Sequence, residues 1–199
     1  MSLANKLTFF RLILAPVFFT IYILPRTFST IWIIVSLIII FIVSEITDLL
    51  DGIAARRHKQ DSDFGKFFDP FADTIMQLTC FLCFVIDGFM PVALFLIAMY
   101  RELGILFIRN LMQRKGITMG ARYSGKVKTV AYIITSSLAL LYGSMLRLFE
   151  LEALHPTLIN IFEVSIPIIK IASLSTFYAS VAISVFSFFD YLIVYRRNR

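Results

Sequence analysis

Six long stretches of mostly apolar residues constrain the fold of this chain more than any other feature. A helix needs about 20 apolar residues to cross the ~30 Å hydrocarbon layer of a bilayer. The stretches lie at about 8–25, 29–48, 67–86, 90–109, 127–147 and 170–194. Hydrophobic residues make up 59% of the 199 residues, more than the interior of so short a soluble domain accommodates. The sequence therefore predicts an all-α integral membrane protein with six transmembrane helices, a single domain over 1–199 and a connector at 148–169.

The basic residues predict how the chain is oriented. If the N-terminus is cytoplasmic, fifteen of the nineteen Lys and Arg residues lie on the cytoplasmic side, and only Arg26, Arg147 and Lys170 lie on the other. This asymmetry follows the positive-inside rule. Six spans also return the Arg-rich C-terminus to the cytoplasm. The net charge of +6 is thus explained by topology, and no nucleic acid partner is expected.

Acidic residues concentrate where the second apolar stretch ends and the third begins. Seven of the thirteen Asp and Glu residues lie between Glu45 and Asp73. Asp48 and Asp51 are three residues apart and Asp69 and Asp73 are four apart, so each pair shares one face of a helix. A connection of 18 to 20 residues is expected to fold back and bring the two faces together. Four carboxylates at a membrane boundary repel unless cations neutralise them, and all-oxygen ligands favour Mg²⁺ or Mn²⁺.

Small residues accompany the aspartates along this connection. Gly52, Ala55 and Gly65 leave room for a flat, polar group to approach the backbone. Small residues are also common where membrane helices pack against each other. Beside a metal cluster, a nucleotide diphosphate is the favoured interpretation.

A basic segment runs from Arg109 to Lys128 on the same predicted side of the membrane. Lys126 and Lys128 open the fifth apolar stretch and Arg109 closes the fourth, so their side chains are able to turn toward the carboxylates and bind a phosphate. The alternative is that they are only positive-inside charge near anionic lipid headgroups. Arg101 and Glu102 lie within the fourth stretch, where a functional and a purely structural ion pair are both open interpretations.

Read with their spacing, the residues around the aspartates form one pattern. Its fixed positions are Asp48, Asp51, Gly52, Ala55, Arg56, Gly65, Asp69 and Asp73. The pattern resembles the signature of the CDP-alcohol phosphatidyltransferase family, with each position at the right interval. The resemblance extends to Asn5-Lys6-Leu7-Thr8-x2-Arg11, Arg101-Glu102-Leu103, Gly125-Lys126-Val127-Lys128-Thr129 and Ser187-x2-Asp190-Tyr191. One departure is Tyr132, where the family usually has Gln.

The resemblance implies the CDP-alcohol phosphotransferase fold and a chemical role for each matching residue. The four aspartates would hold one or two Mg²⁺ or Mn²⁺ ions, and Asp73 would also be the general base toward the acceptor hydroxyl. The nucleotide part of CDP-diacylglycerol would be contacted by Gly52, Arg56 and Ser62, with Ala55 and Gly65 giving it room. The positions of Arg109, Lys126 and Lys128 at the ends of their apolar stretches, rather than the resemblance, make them the residues expected to bind the acceptor phosphate.

The resemblance further implies a homodimer in the bacterial cytoplasmic membrane, with an active site that faces the cytoplasm and takes its donor from the membrane lipids. The implied acceptor is sn-glycerol 3-phosphate. A phosphorylated acceptor needs a cationic pocket, and the basic segment from Arg109 to Lys128 favours one. Phosphatidylglycerol, serine and inositol phosphate are alternative acceptors for the same chemistry. A divalent-cation transporter is a more remote alternative, and it would need a polar path through both leaflets.

Overall fold

The computed structural model describes the backbone of residues 3–24, 29–58, 63–114, 123–150 and 156–197, and side chains within 6–24, 29–50, 68–113, 123–150 and 159–196. All regular structure in these ranges is helical. The helices are α1 (Leu3–Tyr22), α2 (Thr30–His58), α3 (Asp63–Ile86), α4 (Val92–Arg114), α5 (Tyr123–Phe149) and α6 (Pro156–Arg197). The prediction of an all-α protein is confirmed for the part of the chain that is described.

Within those ranges, four segments are long and apolar enough to cross a membrane. They are Thr30–Leu50, Phe68–Ile86, Tyr123–Phe149 and Ile159–Arg196. The chain is therefore a multi-span membrane protein. The first and fourth predicted spans correspond to α1 and α4, which are not among the four. Helix α4 carries the Arg101–Glu102 pair and Arg109, and such charges lower the apolar character that defines a span. The described side chains of α1 cover only residues 6–22, which is fewer than the 18 residues of a span.

Two sequence-based expectations differ from the structure. The connection between the aspartate pairs is mostly helical, since α2 continues to His58 and α3 begins at Asp63. The segment expected to be a connector at 148–169 belongs to α6 from Pro156 onward. Helix α2 continues past its apolar stretch because a helix runs through polar residues when its backbone hydrogen bonds are satisfied within the helix. Helix α6 begins at Pro156, earlier than predicted, and proline is favoured at the first position of a helix.

The chain divides into two compact units, Met1–Cys83 and Phe84–Arg199. In the first unit α1 packs against α2, and apolar side chains such as Phe18, Ile33 and Leu37 are buried. Polar contacts also connect α1 to α3, as the site geometry below shows. The first unit therefore contains all four aspartates of the signature.

In the second unit α6 packs against both α4 and α5. The turn that leads into α4 is set by Gly88, which has a φ of 73°, a conformation that favours glycine. The amide of Phe89 donates to the carbonyl of Phe84 at 2.8 Å, and that of Gly88 donates to Val85 at 3.0 Å. This is a Schellman cap, which satisfies the last carbonyls of α3.

Candidate active site

Aspartates from α2 and α3 meet in the first unit. The Nη1 atom of Arg11 donates to Oδ1 of Asp48 at 2.7 Å and also to Oδ1 of Asp73. Asp69 lies one turn before Asp73 on α3. The convergence expected from the sequence is therefore present for Asp48 and Asp73, which approach the same nitrogen atom from two helices.

Helix α1 provides two polar side chains to these carboxylates. The hydroxyl of Thr8 donates to Oδ1 of Asp69. Arg11 follows three residues later, so it lies on the same face of α1 as Thr8. Thr8 is 0% exposed and Arg11 is 1% exposed. Both side chains are thus enclosed by protein, and between them they contact three of the four aspartates of the signature.

The carboxylates are far more accessible than the arginine that joins them. The side chains of Asp48 and Asp73 are 43% and 46% exposed, against 1% for Arg11. The guanidinium carries one positive charge, so three aspartates retain an excess of negative charge on the accessible side. Such a group of oxygen donors attracts a hard divalent cation.

The donor atoms fit Mg²⁺ or Mn²⁺, because every signature carboxylate offers oxygen and these ions prefer oxygen ligands. Among the side chains that the structure describes, no three acidic, His or Cys residues form a ready set of metal ligands. The fourth aspartate, Asp51, has a side chain outside the described residues. The fit therefore rests on the chemistry of the donors rather than on a coordination geometry.

The residues expected to bind the nucleotide lie between the two aspartate pairs. Gly52, Ala55 and Arg56 belong to the last turns of α2, and Gly65 belongs to the first turn of α3. Ser62 and the side chains of 51–67 lie outside the described residues. Their assignment to the nucleotide stays a prediction.

The residues expected to bind the acceptor phosphate belong to the second unit. Arg109 lies near the end of α4, and Lys126 and Lys128 lie in the first turns of α5. Lys126 is exposed, whereas Arg109 and Lys128 are partly buried. The ammonium group of Lys128 donates to Oε1 of Glu102 at 3.1 Å. Lys128 is therefore held by α4, which the sequence did not indicate.

Arg101 and Glu102 are an ion pair, as their positions in the fourth apolar stretch suggested. Nη1 of Arg101 donates to Oε1 of Glu102 at 2.8 Å, and the two side chains are 5% and 7% exposed. A charge at this depth in a membrane protein needs such a partner.

Sequence reasoning assigned no site role to Thr8 and Arg11. Both residues belong to the motif at the start of the family resemblance, and Arg11 is also one of the cytoplasmic positive charges, but neither observation assigns them a role. The available signal was their spacing: a threonine and an arginine three residues apart share a helix face within an apolar stretch. A buried arginine in such a stretch needs an acidic partner, and the aspartates are the nearest concentration of acid in the sequence.

Comparison with known proteins agrees with this geometry. The sequence profile of CDP-alcohol phosphatidyltransferases matches residues 1–157, a segment that includes α1 and every aspartate described above. The chain belongs to the CDP-alcohol phosphatidyltransferase family. This assignment decides against the cation transporter.

Individual relatives are similar over most of the same segment. A CDP-diacylglycerol–glycerol-3-phosphate 3-phosphatidyltransferase of Treponema pallidum is 39% identical over 67% of this chain and 65% of its own length. Proteins of the same name from Bacillus subtilis and Escherichia coli K12 are 30% and 32% identical over 71% and 67% of this chain. The matched segments span 78% and 73% of those two proteins.

The position of Arg11 predicts that it stabilises the protein when no divalent cation is bound. Arg11→Met leaves Asp48 and Asp73 close together without their shared cation. We expect the metal-free variant to lose about 2 kcal/mol of stability, within the range for hydrogen bonds to charged groups. Thermal unfolding in EDTA measures the change. Lys6→Met removes an exposed charge from the same helix and is expected to have little effect. Equal melting temperatures for Arg11→Met and the wild type would show that Arg11 does not stabilise the carboxylates.

Proposed function

We propose that this protein transfers the phosphatidyl group of CDP-diacylglycerol to sn-glycerol 3-phosphate, which yields phosphatidylglycerophosphate and CMP. The observation that carries this proposal is the meeting of Asp48 and Asp73 at Arg11, within the segment matched by the family profile. The names of the relatives support the choice of donor and acceptor.

The four signature aspartates would hold the Mg²⁺ or Mn²⁺ ions, one or two in number, as carboxylate oxygen ligands. When bound, the ions supply Lewis-acid polarisation of the pyrophosphate and neutralise charge on the departing CMP. Arg11 keeps Asp48 and Asp73 close together, and Thr8 fixes Asp69. The residues of α1 thereby orient the ligand carboxylates before substrate binds.

Asp73 is the proposed general base. It accepts the proton of the acceptor hydroxyl while the hydroxyl oxygen attacks the phosphorus that carries the diacylglycerol. The bond from that phosphorus to the CMP oxygen breaks in line with the attack. A base has to be reachable from the substrate as well as oriented, and the side chain of Asp73 is 46% exposed while bonded to Arg11.

The nucleotide part of the donor is assigned to the residues between the aspartate pairs. Gly52 and Arg56 at the end of α2 and Ser62 would contact it, and Ala55 and Gly65 would leave space for it. The diacyl part stays in the lipid, since the chain is a multi-span membrane protein. A donor that is half lipid and half nucleotide requires a site near the membrane surface.

The phosphate of the acceptor is assigned to Arg109, Lys126 and Lys128. Arginine and lysine bind phosphate through charge-assisted hydrogen bonds. Arg109→Ala or Lys126→Ala is expected to raise the KM for sn-glycerol 3-phosphate by roughly 10–100-fold, because each such bond contributes about 1.5–3 kcal/mol and 1.4 kcal/mol is tenfold. The KM for CDP-diacylglycerol should change little. Steady-state kinetics with each substrate varied in turn measures both constants.

Two other outcomes of these measurements would correct the assignment. If the donor KM rises instead, the cations belong to the nucleotide or lipid-phosphate site. If neither KM changes, the cations only set the orientation of the chain in the membrane.

The remaining topology belongs to the same proposal. The chain crosses the bacterial cytoplasmic membrane six times, with both termini and the active site in the cytoplasm, and it functions as a homodimer. Supporting this, α1 and α4 add two helices of 20 and 23 residues to the four apolar segments. Fifteen of the nineteen Lys and Arg residues then lie on the cytoplasmic side.

Cysteine labelling tests the orientation. In a variant without Cys80 and Cys83, single cysteines at Gln60 and Gln113 should react with an impermeant reagent only from the cytoplasmic side. A cysteine at Thr157 should react only from the outside. Labelling from the opposite sides would place the aspartates outside the cytoplasm, where the proposed acceptor is not supplied.

A screen of acceptors tests the function itself. The purified protein is supplied with labelled CDP-diacylglycerol and Mg²⁺, and CMP release is measured with sn-glycerol 3-phosphate, phosphatidylglycerol, serine and inositol phosphate. We expect release to depend on sn-glycerol 3-phosphate. Release that depends on another alcohol would keep the phosphatidyl transfer and replace the acceptor.

A further inference from the structure

A continuous network of buried and partly buried polar groups connects α4, α5 and α6 in the second unit. Nε of Arg101 donates to the carbonyl of Ser184 at 2.9 Å, and its Nη2 donates to the hydroxyl of Ser187 at 3.0 Å. The hydroxyl of Ser187 is 3.4 Å from that of Ser124, which donates to Asp190 at 2.8 Å. A network of this size between membrane helices fixes their positions relative to each other.

Contacts with Glu102 and Tyr132 hold Lys128 on the first turns of α5. Its ammonium group donates to Glu102 at 3.1 Å and lies 4.7 Å from the ring centroid of Tyr132. Glu102 also accepts from Arg101. The hydroxyl of Tyr132 donates to Ser184 of α6 at 2.7 Å, so the ring beneath Lys128 is itself fixed. Tyr132 is the position at which this chain departs from the usual glutamine of its family.

The last turns of α6 contact the first turn of α5. Asp190 accepts from Ser124, and the hydroxyl of Tyr191 lies so near Gly125 that an added Cβ would be 3.3 Å from it. Glycine at 125 therefore allows α5 and α6 to approach closely. The fixed points at Ser124, Gly125 and Lys128 lie on both sides of Lys126, which is exposed.

We propose that Glu102, Tyr132 and Asp190 are positioning residues that hold Lys126 and Lys128 in the geometry that binds the acceptor phosphate, and so set the preference for a phosphorylated acceptor. This inference rests on the proposed function, because it takes the phosphate as the ligand of the two lysines. Pre-organised cations bind a phosphate more tightly, since less side-chain and backbone freedom is lost on binding.

The location of the network separates it from the donor chemistry. The family profile ends at residue 157, whereas Ser184, Ser187, Asp190 and Tyr191 lie beyond it in α6. The aspartate signature lies entirely within the matched segment. The network thus joins residues inside the matched segment to residues of α6 beyond it. Acceptor preference is assigned to this network in the second unit, and the transfer chemistry to the aspartates of the first unit.

Kinetics with matched variants tests the proposal in the full-length protein. Glu102→Gln and Asp190→Asn each weaken one end of the network without changing side-chain size. Asp87→Asn is the control, because Asp87 pairs with Arg147 near the opposite end of α5 at 3.7 Å. We expect Glu102→Gln and Asp190→Asn to raise the KM for sn-glycerol 3-phosphate roughly tenfold. The donor KM should stay within about twofold in all three variants.

A double variant distinguishes positioning from general stabilisation. If Glu102 acts through Lys128, Glu102→Gln combined with Lys128→Met should raise the acceptor KM no more than Lys128→Met alone. Additive effects, or an equal rise in both KM values, would overturn the proposal and leave the network a purely structural one. The same holds if Asp87→Asn reproduces the effect.

Chemical labelling gives a reading that does not depend on activity. Acetylation of each lysine by an amine-reactive reagent is followed by mass spectrometry in the wild type and Glu102→Gln. Lys128 should react several-fold faster in the variant, as its bond to Glu102 is weakened, while exposed Lys6 stays unchanged. Unchanged labelling of Lys128 would overturn the proposal. If Lys128 is labelled faster in the variant but CMP release by the wild type does not depend on sn-glycerol 3-phosphate, the positioning of the lysines is supported and the proposed acceptor is refuted.

Discussion

Asp73→Asn is expected to lose at least ~10²-fold in turnover while it still binds CDP-diacylglycerol. A general base contributes roughly 10²–10⁴-fold to a rate, and an amide accepts no proton at neutral pH. The amide oxygen can still accept the hydrogen bond from Arg11 that the structure shows, so the site should keep its shape. Single-turnover rates and donor binding, measured on the same preparation, separate chemistry from affinity.

The control for Asp73→Asn is Asp87→Asn, the same chemical change at a carboxylate paired with Arg147 in the second unit. It should leave turnover near the wild-type value. A near-wild-type rate in Asp73→Asn would assign the base to another group. Loss of donor binding together with turnover would make Asp73 chiefly a ligand for the cation.

Removal of divalent cations should abolish activity, and Mg²⁺ or Mn²⁺ should restore it. Lewis-acid stabilisation by a metal contributes several kcal/mol, so we expect turnover in EDTA to fall by at least ~10²-fold. The accessible carboxylates of Asp48 and Asp73 should permit rapid exchange of the ion with the solution. Turnover is measured as CMP release before and after each ion is added.

The Arg11 contacts allow the loss of the metal to be distinguished from unfolding of the protein. Arg11 bonds both Asp48 and Asp73, so we expect the wild type to stay folded in EDTA and to recover fully. Full activity in metal-free buffer would contradict the metal assignment. Loss of activity that no ion reverses would point to unfolding instead, which thermal unfolding in EDTA detects.

The features that depend on residues close together in the sequence were the most predictable. The spacing of Asp48, Asp51, Asp69 and Asp73 predicted shared helix faces, because helical periodicity follows from the backbone alone. The apolar stretches predicted an all-helical membrane protein, since lipid leaves no other hydrogen-bond partners for the backbone. Family membership followed from the same residues.

Contacts between distant segments were harder to predict. Thr8 and Arg11 reach aspartates about 40 to 60 residues away in sequence, and periodicity within one helix does not specify which helix lies opposite it. The same is true of Glu102 and Lys128. Lys128 was expected to face the acceptor, and its partner on α4 became visible only in the folded chain.

Helix ends were the least predictable part of the fold. The boundaries were drawn where apolar residues stop, yet α2 continues through Gly52 and Arg56 to His58. Helix α6 likewise begins at Pro156 rather than near residue 170. Proline is favoured at the first position of a helix because its missing amide hydrogen has no partner there. Pro156 occupies this position in α6.

The fate of one oxygen atom shows whether the acceptor hydroxyl attacks the phosphatidyl group. The protein, in liposomes that contain CDP-diacylglycerol, is given sn-glycerol 3-phosphate labelled with ¹⁸O at the free primary hydroxyl, and the lipid and CMP are analysed by mass spectrometry. We expect one labelled phosphatidylglycerophosphate for each CMP, with the ¹⁸O retained in the lipid and absent from CMP. Release of CMP without labelled lipid, or a lipid that lacks the ¹⁸O, would contradict the attack of the acceptor hydroxyl on the phosphatidyl group.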